Sequence, residues 1–253
     1  AHINVYIQIH DMDFLTLTTT CCQIDLIKLF AGGFSTGHGV LREPNSISIY
    51  AALACIAIQS NQNDQHGGQA IPNFDYSMAP GVAKSYLKHF YHNLAKAITL
   101  LVKLDGEDIA TKVKGEMRLK PTLDKNEAFE EQLKETLKAN KVDKFVDEIV
   151  EFAITSAYEE TDRETYQAME AFIHNLNTMH SRAGAQVPFS SINYGMDTSS
   201  EGRMVMRNIL LATEAGLGHG ETPIFPIQIF RVKEGINYNE GEPNYCLLYT
   251  SDA

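Results

Sequence analysis

The stretch Thr18-Thr19-Thr20-Cys21-Cys22-Gln23-Ile24-Asp25-Leu26 runs three β-branched threonines into two adjacent cysteines. β-branched side chains stiffen an extended backbone, and successive side chains of a strand point to opposite faces. The stretch therefore predicts a strand in which one thiol faces whatever cavity the fold encloses and the other faces packing. The alternative is that both thiols are buried as small hydrophobic groups, because free cysteine is among the most buried residue types.

The composition limits the classes of function. The chain has 253 residues, 44% of them hydrophobic, which is enough for one large domain or two small ones. Lys and Arg together number 21 against 32 Asp and Glu, and the formal net charge is −11. This balance argues against a nucleic-acid scaffold and against binding to an anionic membrane, since both need a basic face. A local cationic pocket for a nucleotide is compatible with it.

The cysteines and the apolar runs predict a compartment. Two of the four cysteines are adjacent, which is a poor geometry for pairing, and no Cys-x-x-Cys spacing indicates a zinc site within these residues. A metal at the cluster of residues 10–13 is the weaker alternative to hydrogen bonding with the backbone. The longest apolar run, residues 49–58, is too short to span a membrane, and we find no signal segment. We therefore expect a reducing cytoplasm.

The two ends of the sequence carry a separate expectation. The chain opens at Ala1 and enters at once the strand-like alternation of residues 3–9, so we expect the natural N-terminus to lie upstream. Residues 246–253 resemble the in-frame translation of a transposon-end adapter used in sequencing libraries. We expect residues 1–245 to be the natural part of the chain. We expect residues 246–253 to form a non-native tail that packs on nothing.

The order of predicted elements is that of an α/β protein. Strands are expected near residues 15–22, 187–194 and 224–231, buried on both faces as parallel strands are. Residues 104–125 are predicted to be a charged surface excursion. The Gly-x-Gly-x-Gly at 216–220 follows a helix and precedes a strand, the reverse of a dinucleotide fingerprint, so we reject a Rossmann fold. The pattern favours part of an α/β barrel over an open sheet. Apolar periodicity predicts helices over residues 24–30, 46–59, 81–101, 141–158 and 161–180, and another capped by Ser199 or Ser200.

A polar segment follows the second of these helices. Residues 60–69 contain six amide or carboxylate side chains, including that of Asn63. The segment also contains Gly67 and Gly68 near its end. We interpret the segment either as a solvated loop or as a polar wall for a ligand. In the second case the glycines would let backbone amides approach the ligand closely.

Seven segments of the chain form an ordered set. They are Ile9-His10-Asp11-Met12-Asp13, Cys21-Cys22-Gln23-Ile24-Asp25-Leu26, Gly32-Gly33-Phe34, His66-Gly67-Gly68, Asn177-Thr178-Met179-His180, Gln186-Val187-Pro188-Phe189, and the run from Gly216-Leu217-Gly218 to Phe225-Pro226. Together these segments resemble one family, the anaerobic (class III) ribonucleoside-triphosphate reductases. The resemblance covers nearly all of residues 3–245, and the ordered set is far more specific than any single piece.

The resemblance implies the first part of a ten-stranded α/β barrel and a radical reduction of ribonucleoside triphosphates. In the family, a glycyl radical generates a thiyl radical on a finger-loop cysteine, and a second cysteine on the first barrel strand takes part in the reduction. Counting back from the shared Ile-Asp-Leu, that second cysteine corresponds to Cys21, with Cys22 as the near alternative. We expect Cys21 to face the lumen, near Ser191 or Asn193, and Cys22 to pack outward against a helix.

The resemblance also implies cofactors and partners. These are ATP and dNTP effectors, a structural zinc, a homodimeric partner, and a radical S-adenosylmethionine iron–sulfur activase that installs the glycyl radical. The glycyl-radical loop, the finger loop and the four-cysteine zinc site are expected beyond residue 245, and the ATP-binding cone before residue 1. We therefore expect no metal within the chain, no partner nucleic acid or membrane, and no reductase activity from this polypeptide alone.

Substrate contacts are predicted from polar residues near the expected lumen. Ser190, Ser191, Asn193 and Asn63 are candidate donors to ribose hydroxyls, and ordinary hydrogen bonding at strand ends is the alternative for each. Two other functions fit the same segments, namely a lyase-type glycyl-radical enzyme or a non-catalytic dimerisation half.

Overall fold

The computed structural model describes residues 21–37, 39–64, 67–180 and 186–247. The predicted strand at 3–9, the cluster at 10–13 and Thr18 to Thr20 lie outside these ranges. In chain order the elements are β1 (Cys22–Gln23), α1 (Leu26–Phe30), β2 (Phe34–Ser35), β3 (Val40–Leu41), α2 (Ile47–Asp64), β4 (Gln69–Ile71), α3 (Phe74–Leu101), α4 (Gly106–Glu116), α5 (Glu127–Ala139), α6 (Val146–Thr178), β5 (Ser190–Tyr194), α7 (Ser200–Ala215) and β6 (Ile227–Phe230).

Four of the strands form one parallel sheet in the order β1-β4-β5-β6. Each connection between neighbouring strands passes through at least one helix, as a parallel pairing requires. The remaining pair, β2 and β3, forms a separate antiparallel hairpin. The α/β class predicted from the sequence is confirmed.

The described helices cover only one face of the parallel sheet. Ile71, Ile192 and Tyr194 join the helices α2, α3, α6 and α7 in the main hydrophobic core. On the opposite face, Ile227 and Ile229 are each 44% exposed. The prediction that the strands are buried on both faces is therefore wrong for the described residues, because helices pack against one side only.

Three helix boundaries differ from their predictions. Helix α2 runs on to Asp64, so residues 60–64 are its last turns and not a loop. Helix α3 begins at Phe74 and holds Pro80 in its interior, whereas the sequence suggested a start at the proline. The fully buried Phe74 and Met78 stabilise the turns that precede Pro80. Helix α6 is continuous over 33 residues, where two helices were predicted.

The predicted surface excursion at 104–125 is also wrong, because it contains α4. This helix buries Ile109, Ala110 and Val113. Together with α5 and the adjoining halves of α3 and α6, it forms a second hydrophobic core. We call this part of the molecule the helical extension.

The expectation that residues 246–253 pack on nothing is wrong at Leu247. Its side chain is 7% exposed and belongs to the main core. Its amide donates to the Asn244 carbonyl at 3.1 Å. Residues 248–253 lie outside the described ranges.

Asp75 joins three elements at the carboxyl end of β5. Its buried Oδ2 accepts hydrogen bonds from the amides of Gly195 (2.9 Å), Met196 (2.9 Å) and Asp197 (3.0 Å). Oδ1 accepts from the Tyr76 amide at 3.0 Å. The first turn of α3 is thereby tied to the loop that leads from β5 into α7. Charge-assisted bonds of this kind are among the stronger hydrogen bonds in proteins.

We expect Asp75→Asn to lower the free energy of unfolding by roughly 2–3 kcal/mol, because the amide side chain offers one acceptor oxygen to four amides and buries an unmatched donor. Urea unfolding followed by circular dichroism would measure this. The exposed Asp143→Asn is the matched control and should change little. Equal midpoints for the two variants would contradict the assigned role.

A second carboxylate organises the segment after β6. Glu242 accepts the amides of Gly235 (2.7 Å) and Tyr238 (2.6 Å) and the Asn239 side-chain amide (2.8 Å). Desolvation acts to raise the pKa of Glu242, but these hydrogen bonds outweigh it and lower the pKa to about 2. The segment also places Asn237, whose Nδ2 donates to the Gly195 carbonyl at 2.9 Å.

The lowered pKa of Glu242 predicts a pH dependence with a definite sign. The carboxylate stabilises the segment fully above its ordinary pKa of 4.5, and this stabilisation is lost as the pH falls from there through about 2. The amide resonances of Gly235 and Tyr238 should therefore titrate with a midpoint near 2 and stop titrating in Glu242→Gln. A midpoint near 4.5 would show that these bonds do not form.

Candidate functional site

The open face of the sheet carries the candidate site. Strand register aligns Gln23, Ala70, Ser191 and Ile227 in one row across the four strands. Cys21 directly precedes β1, and if the alternation of side chains continues through it, Cys21 lies on the same face as Gln23. Cys21 is exposed.

Cys22 lies on the opposite, helix-covered face. It aligns with Gln69 and, through β4, with Ser190. Its side chain is half-buried and packs against the main core. It also lines a cavity of ≈310 Å³ together with Leu29 and Ala57. Cys22 is thus the more buried of the two thiols and Cys21 the more exposed, while the orientation of Cys21 toward the open face and its catalytic role stay predictions.

Ser190 does not share the open face. It is 1% exposed, and its hydroxyl donates to the Pro188 carbonyl at 3.2 Å. Because alternation separates it from Ser191 and Asn193, the strand-end hydrogen bond weighed as the alternative is the one the structure shows. Its interpretation as a donor to a ligand on the open face is therefore corrected.

Ser191 and Asn193 do lie on the open face. From strand spacing and rise, the Cα of Ser191 is roughly 12 Å from that of Cys21, and Asn193 lies one row further along β5. The Asn193 Oδ1 is buried and accepts no hydrogen bond from any described residue. An unpaired carbonyl oxygen of this kind offers an acceptor to a hydroxyl or amino group of a ligand.

The polar segment lies beside the amino-terminal ends of strands β1 and β4. Asn63 is exposed in the last turn of α2. Gly67 has a φ of +87°, which favours glycine. The Gly68 carbonyl accepts the Cys22 amide at 3.1 Å, so the glycines lie beside the two thiols. Any Cβ at position 68 would lie 3.3 Å from the Phe189 ring, tighter than usual for such a contact.

Sequence reasoning missed Phe189 as a residue of this face. It lies two residues before Ser191, so its side chain is on the same face. It is 52% exposed, and the centroid of its ring lies 5.1 Å from that of the Phe225 ring. The signal that could have found it is a large aromatic residue two positions before Ser191 in a strand already assigned to the lumen. An exposed aromatic ring beside Gly68 offers a stacking surface to a planar ligand.

Other features of the chain bear on its chemistry. The third described thiol, Cys55, is buried in α2, and burial raises its pKa to about 12, so it is not a nucleophile near neutral pH. No three His, Cys, Asp or Glu side chains come together as metal ligands in the described parts of the chain. Within the same ranges, every helix is too short or too polar to cross a membrane.

Comparison with known proteins places these residues in a family context. A family model described as anaerobic ribonucleoside-triphosphate reductase matches residues 1–251. The reductase of that name from Enterobacteria phage T4 is 27% identical over 248 residues, which is 97% of this chain and 32% of the relative. The Salmonella typhimurium and Escherichia coli K12 proteins are each 27% identical over 97% of this chain and 27% of their own length. The chain thus spans about a third or less of the curated relatives it matches.

The assignment of faces predicts an order of thiol reactivity. In a Cys246→Ser background, which removes the other exposed thiol, we expect Cys21 to react with a disulfide reagent faster than the half-buried Cys22. Cys55 should stay unreacted in the folded chain. The fast phase should vanish in Cys21→Ser. A fast phase that survives Cys21→Ser and disappears in Cys22→Ser would reverse the two faces.

Proposed function

This chain belongs to the anaerobic ribonucleoside-triphosphate reductase family, and on that premise we propose that it is part of an enzyme that reduces ribonucleoside triphosphates to deoxyribonucleoside triphosphates. The observation that carries the proposal is an exposed thiol, Cys21, directly before the first strand of a parallel sheet whose second face the described helices leave open. Because the chain covers about a third of the T4 relative, the activity is proposed for the full-length protein that contains it.

We propose that the open face becomes the lumen of a ten-stranded α/β barrel. The four parallel strands would be part of its first half, with the described helices on the outside. Two features support this arrangement. The helices cover one face only, and Ile227 and Ile229 leave an apolar surface on the other, which a second layer of protein would bury.

In the proposed site, Cys21 stands across the ribose from the residues of β5. Replacing a ribose hydroxyl by hydrogen takes two electrons and two protons and releases one water. The Cys21 thiol can supply one electron and one proton, leaving a thiyl radical, and an external donor, formate or a redoxin thiol, supplies the other electron and proton. The Ser191 hydroxyl donates to a ribose hydroxyl. Asn193 lies one row further along β5 and accepts a hydrogen bond from a more distant group of the nucleotide, after its buried Oδ1 turns toward the open face. Water must be kept from the reacting carbon, and a closed barrel interior does so.

The cofactors are proposed for segments of the full-length protein other than the described residues. The family implies a glycyl radical, which supplies hydrogen-atom abstraction, and an iron–sulfur activase that installs it. It also implies a structural zinc, but the described residues bring no three metal-ligating side chains together, so they do not fit a zinc site. ATP and dNTP effectors, a homodimeric partner and a cytoplasmic location complete the proposal.

The test compares the two adjacent cysteines in the full-length protein. Cys21→Ser should abolish deoxynucleotide formation under strict anaerobiosis and leave the glycyl-radical signal intact. Cys22→Ala is the matched control; it should cost roughly 1–2 kcal/mol of stability through lost packing and leave turnover standing. Normal turnover by Cys21→Ser, or its loss in a fully folded Cys22→Ala, would contradict the assignment. Absence of any deoxynucleotide product from the unmodified protein would contradict the function itself.

A further inference from the structure

A cavity of ≈540 Å³ lies in the helical extension, well separated in sequence from the open face of the sheet. It is bounded by residues 122–126, by α5 and α6, and by one side chain of α3. Its volume falls within the range of small-molecule sites. Its apolar walls come from the side chains of Leu123, Phe129, Val150 and Ile154.

Tyr86 of α3 also lines this cavity, and its hydroxyl has no hydrogen-bond partner among the described residues. The residue is only 2% exposed. Burial, and secondarily the negative charge of Glu130, raise the pKa of Tyr86 to about 12, so the phenol is neutral near pH 7. Buried tyrosine hydroxyls usually find a partner, and this one faces a cavity.

The charged groups around the cavity are mostly acidic. Lys134 is neutralised by Asp147, with Nζ 2.5 Å from Oδ1. Glu130 and Glu151 form no ion pair with any described residue. Lys125 also lines the cavity, and its Nζ lies 3.7 Å from the carboxylate of Glu127, which does not line it. The lining therefore has four acidic side chains against two basic ones. A cation that entered would meet a net negative charge, including the carboxylates of Glu130 and Glu151, above an aromatic and aliphatic floor.

From these observations we infer a binding site for a small organic ammonium ion with an apolar body. The apolar part fills the space between Phe129 and Ile154, and the ammonium group lies between the Tyr86 oxygen and the Glu130 carboxylate. A cation near the tyrosine ring also gains from the negative face of its π system. The inference does not depend on the reductase assignment, because none of these residues belongs to the open face.

The test uses three probes of one shape and different charge. Phenethylammonium, 2-phenylethanol and 3-phenylpropionate share a phenyl ring on a two-carbon chain. Titration of the 253-residue chain, followed by amide chemical shifts and by calorimetry, should show saturable binding of phenethylammonium with a Kd of roughly 1 mM, as expected for a ligand of this size. The alcohol should bind more weakly, and the carboxylate should not bind.

Two variants assign the binding to the cavity. Glu130→Gln should weaken phenethylammonium about tenfold, because it removes the charged acceptor. Tyr86→Phe keeps the ring and should weaken it about fivefold. The exposed Glu135→Gln on the same helix is the control and should bind like the unmodified chain.

Three results would overturn the inference: no saturable binding at roughly 10 mM probe, equal binding of amine and carboxylate, or an affinity unchanged in both Glu130→Gln and Tyr86→Phe. If Tyr86→Phe does not fold, Glu130→Gln decides alone, since that side chain lies at the surface of α5.

Discussion

The carboxylate of Asp75 is the interaction on which the carboxyl end of the sheet depends. Three successive amides converge on one of its oxygens, and the Tyr76 amide reaches the other. Those three amides follow β5 directly, so one buried side chain holds the chain where it leaves the strand. The side-chain amides of Asn237 and Asn244 donate hydrogen bonds to carbonyls of the same loop, those of Gly195 at 2.9 Å and Asp197 at 2.8 Å. The junction thus holds the end of the strand that carries Asn193.

The one-sided cover of the sheet gives the molecule its candidate chemistry. Because the described helices pack on a single face, Cys22 of β1 packs against the main core, whereas Cys21, directly before the strand, is exposed. Alternation along β5 likewise separates the buried Ser190 from Ser191. A site built on strands is rigid, which suits a reaction in which a thiol must stay close to one carbon of a sugar.

The two longest helices connect this face to a second hydrophobic core. Helices α3 and α6 begin or end against the sheet and continue into the helical extension, where α4 and α5 complete the packing. Leu123 contacts both cores, and it also lines the cavity that contains Tyr86. Occupancy of that cavity therefore involves residues packed against the same helices that support the sheet.

The sequence alone determined the features that depend on near neighbours. The alternation of Cys21 and Cys22 requires only strand geometry, and the start of α7 requires only Ser199, whose hydroxyl accepts the Gly202 amide at 3.1 Å. Tertiary structure decided what depends on distant contacts. Phe74 packs against Phe172 with ring centroids 5.1 Å apart, and this contact stabilises the turns of α3 that precede Pro80. Which face of the sheet is covered, and hence which of Ser190 and Ser191 is available, was decided by helices far along the chain, and local periodicity does not contain that information.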